Sequence, residues 1–226
     1  MTITTLLFFA AATFAADEPC YGHQWENRLE GEHFWVEWEE GVIGEPHAEL
    51  LLEAVESARV TYVEEMGWPA PDPSIVVSVK IGLFGAAGAC LTQTCDSGPL
   101  PLIEVYDVAY AAASPHSTAT HEFGHAVQYT YMGSMTESLA SWAWWMEGTA
   151  MWLQIHSDYE GRSWKWDANQ YMANPQLALH HDALYLLDET TGPHMYGTMV
   201  LALYIEGRFG EDGVRQTWET GAAYSG

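Results

Sequence analysis

The chain has 226 residues, nearly half of them hydrophobic, which suits one domain with a substantial core. Its 31 acidic residues far outnumber its seven Lys and Arg residues and give a formal net charge of −24. Nucleic acids and anionic membranes bind basic patches, so this charge argues against both as partners. The acidity fits either an extracellular protein kept soluble by charge repulsion or an adaptation to high salt, which screens that repulsion.

Residues 1–16 have the character of a secretory signal peptide. An apolar stretch runs to Ala16 and is followed by Asp17, Glu18 and Pro19. The segment contains no Lys or Arg, so a buried N-terminal strand is the alternative. After the leader no window approaches 18 uninterrupted apolar residues. We therefore predict a secreted or extracytoplasmic protein whose mature part, residues 17–226, has no integral membrane segment.

The first half of the mature chain predicts strands and one long helix. Apolar and polar residues alternate over 33–39, which indicates a strand. Apolar residues at helical spacing over 46–67 predict an amphipathic helix with Pro46 in its first turn. The β-branched run at 75–81 predicts a second strand, and 102–108 a third.

The connection between the second and third strands, residues 82–101, is rich in glycine and is interpreted as a loop. Cys90 and Cys95 lie within it and enclose four residues. In an oxidising compartment this spacing favours a small disulfide, although one such pair is a weak signal.

Helices dominate the second half. Ser114 and Pro115 predict the start of a helix that ends near Met132. Ser134 and Glu137 have the spacing of a capping box for a second helix, which continues to about His156. Residues 157–190 have little periodicity, and two further helices are predicted near 194–208 and 211–220. The expected fold is α+β, with a small mixed sheet and a helix in 17–132 and a mainly helical subdomain in 133–226.

The helix predicted from Pro115 carries the pattern H-E-x-x-H as His121, Glu122 and His125. Residues four apart lie on one face of a helix, so both imidazoles can reach a single ion. Two neutral imidazoles suit zinc and leave room for a third protein ligand and a water. Glu122 is adjacent and has the position of the residue that takes a proton from that water.

The pattern alone does not settle the assignment, because a chain of this composition contains it by accident in roughly one case in 25. The metzincin continuation needs Gly and His where this chain has Gln128 and Tyr131, so that class of site is excluded. Glu147 follows His125 after 21 residues, enough for a turn and a returning helix. An acidic residue in such an aromatic helix is costly to bury without a partner. Glu147 is the predicted third ligand; Glu137 is the rival, which the capping box explains more simply.

The segments HEFGHAVQ (121–128) and WWMEGTAMW (144–152) resemble the catalytic core of the gluzincins, the thermolysin-like superfamily of zinc peptidases. The order of elements from residue 33 to Gly210 is similar to that of a group of secreted bacterial metallopeptidases. The resemblance implies a zincin-like fold, with a strand at the sheet edge before the H-E-x-x-H helix; here that strand would be 102–108. It also implies one catalytic Zn²⁺ and a peptide or protein substrate.

The resemblance implies a secreted endopeptidase that hydrolyses peptide bonds with a zinc-bound water activated by Glu122. A Tyr or His after the glutamate helix stabilises the oxyanion in such enzymes. His194 and Tyr196 both qualify, and Tyr196 is favoured because a Tyr-Gly pair recurs at this place in similar proteins. Two alternatives stay open, namely a catalytically altered binding module on this fold and a zinc hydrolase acting on a non-peptide substrate.

Overall fold

The computed structural model describes residues 22–71, 75–82, 87–95, 98–111, 115–132, 142–157, 164–179 and 192–224. The predicted signal peptide at 1–16, the capping box at Ser134 and the rival ligand Glu137 lie outside these ranges. The strands are β1 Asn27–Glu30, β2 Phe34–Trp38, β3 Ile75–Lys80, β4 Gly88–Cys95 and β5 Gly98–Tyr106. The helices are α1 Glu45–Arg59, α2 Asp107–Ala111, α3 Pro115–Met132, α4 Ala143–His156, α5 Trp164–Ala173, α6 Gly192–Gly197, α7 Met199–Phe209 and α8 Glu211–Tyr224.

The five strands form one mixed sheet in the order β1-β2-β3-β5-β4. The three central strands are parallel, with Val36 opposite Val77 and Val77 opposite Ile103. β1 and β4 pair antiparallel at the two edges. The α+β class and the mixed sheet are thereby confirmed. No described helix has the length and apolarity to cross a bilayer.

Two predictions about the region between β3 and α2 are wrong. Residues 88–95 and 98–101 belong to a β-hairpin rather than to a loop, and β4, not β5, is the edge strand. The predicted Cys90–Cys95 disulfide also fails, because the two residues lie in one extended strand with Cα atoms roughly 16 Å apart, well beyond disulfide reach. Cys90 is a buried free thiol.

Alternation along the strands separates the two faces of the sheet. The inner face carries Val36, Val77 and Ile103 into the main core against the helices. At its centre, Phe123 of α3 stacks on the Tyr62 ring, with centroids 5.6 Å apart. The outer face is covered by residues 22–26, whose contacts include a hydrogen bond from the Trp25 indole to Ser78. The sheet therefore fixes α3 rigidly against its inner side.

The helical half largely follows the prediction. α3 ends at Met132 and α4 at His156, as expected. α1 continues as a π-helical segment, Val60–Glu65, before Gly67 turns the chain with φ +72°. The helix α5 is not predicted, because Asp167 is its one residue buried among the neighbouring elements and a hydrophobic stripe is therefore lacking. The helix predicted at 194–208 is divided at Thr198 into α6 and α7.

Candidate metal centre

The histidines of the H-E-x-x-H pattern lie in the middle of α3, which is buried continuously from Ser117 to Tyr129. Proline at the first position begins this helix without losing a hydrogen bond, since the first amides of a helix have no partner within it. His121 and His125 project from one face with ring centroids 4.8 Å apart. They are 5% and 6% exposed. Their imidazoles thus converge in a nearly dry environment.

Glu147, near the start of α4, completes a cluster with the two imidazoles. Its Oε2 lies 3.0 Å from His121 Nε2 and 3.5 Å from His125 Nε2. The three donor atoms all lie within 4.8 Å of one another. Donor atoms bonded to a tetrahedral zinc at about 2.1 Å stand roughly 3.4 Å apart. The spacing and the nitrogen and oxygen donors therefore fit a zinc ion, with a fourth position left for a water or substrate.

Gln128 orients His125 through a chain of hydrogen bonds. The Thr149 hydroxyl donates to the Trp145 carbonyl at 2.7 Å, so it accepts from Gln128 Nε2, at 2.9 Å. Gln128 Nε2 also donates to the Met146 carbonyl, at 3.0 Å. The amide oxygen of Gln128 consequently faces His125 Nδ1, at 2.9 Å, and accepts a hydrogen bond from the Nδ1–H group.

This arrangement leaves His125 Nε2 pointing at the centre of the cluster as the atom that could bind a metal. From the sequence, Gln128 counts only as evidence against the metzincin pattern. Its hydrogen bond to His125 is not predicted. The available signal is its spacing of three from His125, which places both side chains on one face of α3.

The cluster also perturbs its own proton affinities. Burial acts most strongly on His125 and lowers its pKa, but the charge of Glu147 and hydrogen bonds to Glu147 and Gln128 outweigh it and raise the pKa to about 9. Burial would raise the pKa of Glu147, yet the two histidines hold it well below its usual range. The metal-free cluster is thus a protonated ion pair, and metal binding must release protons.

Glu122 is buried beside this cluster and faces the edge strand. A Cβ added at Gly88, the first residue of β4, would lie 3.2 Å from Glu122 Cγ and 2.5 Å from Thr118 Cγ2. A side chain at position 88 would therefore clash with Thr118 and press against the glutamate. Tyr129 fastens the same strand to α3, since its hydroxyl donates to the Cys90 carbonyl at 2.9 Å. The backbone of the edge strand thus passes directly next to Glu122.

The two candidate oxyanion donors lie in different surroundings. Tyr196, in α6, is half-buried, and its ring centroid lies 6.0 Å from that of His121. His194 is buried, with Nε2 3.1 Å from the Ala178 carbonyl and its ring 4.8 Å from that of Tyr171. The histidine therefore joins α6 to the end of α5, whereas the tyrosine adjoins the cluster.

Small residues let three helices meet at this site. Gly124 of α3 faces Ala150, since a Cβ on the glycine would lie 3.4 Å from Ala150 Cα. Gly148 of α4 faces Thr198 instead, since its added Cβ would lie 2.1 Å from Thr198 Oγ1. That hydroxyl lies 2.7 Å from the Trp144 carbonyl. Thr198 thus links the helix of Glu147 to the helix of Tyr196.

Comparisons with known proteins give no family for this chain. No family model, no curated protein and no solved structure matches it.

Proposed function

We propose that the chain is a secreted zinc-dependent endopeptidase of the gluzincin type with a zincin-like fold. One observation carries the proposal: two imidazole nitrogens and one carboxylate oxygen converge at ligand spacing in a buried site, with Glu122 adjacent in α3. The side chains assigned to the metal are His121, His125 and Glu147.

His121, His125 and Glu147 would hold a zinc ion, which would supply a Lewis acid able to polarise a carbonyl and to lower the pKa of a water towards about 7. Glu122 accepts a proton from the attacking water and later delivers it to the leaving amine. The Tyr196 hydroxyl donates a hydrogen bond to the carbonyl oxygen as negative charge develops there. Gln128 keeps His125 in the tautomer and orientation that the site requires.

The position of β4 supports a peptide substrate. β4 ends the sheet, so the side of this strand remote from β5 can pair with an extended chain. Its first residue, Gly88, lies against Glu122, so a peptide paired along β4 has its backbone close to the proposed base. A non-peptide substrate would make no use of main-chain hydrogen bonds to a strand edge.

The test is metal analysis and peptide-library cleavage by mature protein, residues 17–226, purified without added metal. We expect one tightly held zinc per chain and cleavage that 1,10-phenanthroline abolishes and zinc restores. His121→Ala should lose both the zinc and the activity. His47→Ala, which removes an exposed histidine of α1, is the matched control and should retain both. Undiminished zinc in His121→Ala, or metal-independent cleavage, would refute the proposal.

A further inference from the structure

A second imidazole–carboxylate cluster lies at the opposite end of α4. His156, the last residue of that helix, has its Nε2 3.3 Å from Glu206 Oε2 of α7. Glu211, the first residue of α8, brings a third donor atom within 4.8 Å of these two. His156 and Glu147 are nine residues apart in α4, which corresponds to about 13 Å along the axis and opposite faces of the helix. The two clusters are therefore separate sites.

The backbone between α7 and α8 is shaped to bring the two glutamates together. Gly210 has φ +79°, a conformation that residues with side chains rarely adopt, and its amide donates to the Glu206 carbonyl at 2.8 Å. The chain therefore reverses within one residue and returns Glu211 towards Glu206. The Trp152 indole also donates to Glu206 Oε2, at 2.7 Å, which fixes that carboxylate beside the imidazole.

The surroundings of the cluster are strongly acidic. A groove of about 480 Å³ is lined by four carboxylates, those of Glu65, Glu206, Glu211 and Asp212. Of these four carboxylates, Asp212 is already paired with Arg215, at 2.7 Å. A divalent cation would relieve the mutual repulsion of the other three carboxylates.

We propose that His156, Glu206 and Glu211 form a second, structural site for a divalent transition-metal ion of the zinc type. The imidazole selects this chemistry, because calcium and magnesium take oxygen ligands whereas zinc accepts nitrogen and carboxylate oxygen together. The 3.3 Å between His156 Nε2 and Glu206 Oε2 matches the roughly 3.4 Å expected around a tetrahedral ion. Glu211 is exposed, so a rotation of its side chain brings its carboxylate to the ion.

Such an ion would fasten the last turn of α4 to the corner between α7 and α8. Because Glu147 lies near the start of α4 and Tyr196 lies just before α7, the site would stabilise elements next to the proposed catalytic groups without touching those groups. It would be the weaker of the two sites, since its residues are partly exposed.

The test is a zinc titration followed by dialysis and metal analysis, with the melting temperature measured in parallel. Wild type should bind a second, weaker zinc that raises the melting temperature, and His121→Ala should bind this one alone. Glu206→Gln, which keeps the shape of the side chain, should retain only the tight zinc. Glu211→Gln, at an exposed helix start, tests the same site without a folding risk, and His156→Gln tests the imidazole.

Glu49→Gln, on the exposed face of α1, controls for loose attraction of metal to an acidic protein and should match wild type. If wild type, Glu206→Gln and Glu211→Gln bound the second, weaker zinc equally well, the second site would be overturned. Wild type that binds no second zinc would overturn it as well. Occupation by calcium in preference to zinc would also overturn it, because His156 would then not be a ligand. Failure of the catalytic site appears separately, as undiminished tight zinc in His121→Ala.

Discussion

The two ends of α4 carry similar chemical groups in different surroundings. At the start of the helix, Glu147 meets His121 at 3.0 Å; at its end, His156 meets Glu206 at 3.3 Å. In the first pair the imidazole is buried and Glu147 is partly exposed, and the pair lies next to Glu122 and to an imidazole oriented by Gln128. The second is about a quarter exposed and is bordered by further carboxylates.

A set of metal-binding donor atoms does not by itself make a catalytic centre. Catalysis needs a base beside the reacting water, a donor for the developing charge and a site from which bulk water is excluded. Under the proposed function, Glu122, Tyr196 and the burial of α3 would meet these needs at the first cluster. At the second cluster, the described residues offer donor atoms for an ion and a corner between helices that such an ion would hold together.

The largest contrast should come from Glu122. Glu122→Gln removes the proton acceptor but leaves the three proposed ligands, so zinc content should stay near that of wild type. Peptidase turnover should fall by about 10²–10⁴-fold from the loss of general-base catalysis alone, measured as kcat on a cleaved peptide. Glu49→Gln is the same change on the surface of α1 and should cleave normally. Retained turnover in Glu122→Gln would assign the base elsewhere.

The next effect in size concerns Tyr196. Tyr196→Phe keeps the ring beside His121 and removes the hydroxyl, so kcat should fall roughly 10²–10³-fold with KM and zinc content little changed. His194→Gln should cost much less, because His194 contacts the Ala178 carbonyl and the Tyr171 ring. The reverse ranking of the two variants would transfer the role to His194.

Gln128 tests whether orientation distinguishes the two clusters. Gln128→Leu removes the acceptor for His125 Nδ1, and zinc affinity, measured by competition with a chelator, should fall about 10–100-fold. Gln128→Glu supplies an acceptor again and should recover part of that loss. If Gln128→Leu bound zinc as tightly as wild type, the hydrogen bond to His125 would have no part in holding the metal.

The smallest expected effect is structural and concerns the joint between α4 and α6. Gly148→Ala places a Cβ against Thr198 Oγ1, and overpacking of this kind costs about 1–3 kcal/mol, or roughly 2–12 °C in melting temperature for a chain of this size. Gly207→Ala is the control in α7, where a Cβ meets nothing within 4 Å. It should raise the melting temperature slightly through helix propensity. Equal shifts in the two variants would show that the joint tolerates a side chain.

Local pattern in the sequence determined those features that depend on neighbouring residues. A spacing of four placed His121 and His125 on one helix face. Alternation of apolar and polar residues located β2, and a β-branched run located β3. Proline at position 115 and the apolar spacing after it located α3. The chain length between His125 and Glu147 was enough to predict that the glutamate returns to the histidines.

Tertiary structure decided what depends on partners distant in the chain. A glycine-rich segment became the edge hairpin because β4 pairs with β5, and that pairing separated Cys90 from Cys95. Gln128 acquired its role only when α4 brought Met146 and Thr149 to it. The carboxylate next to His156 belongs to Glu206, which is 50 residues further along the chain. The packing of α7 against α4 brings the two side chains together, and no local periodicity predicts it.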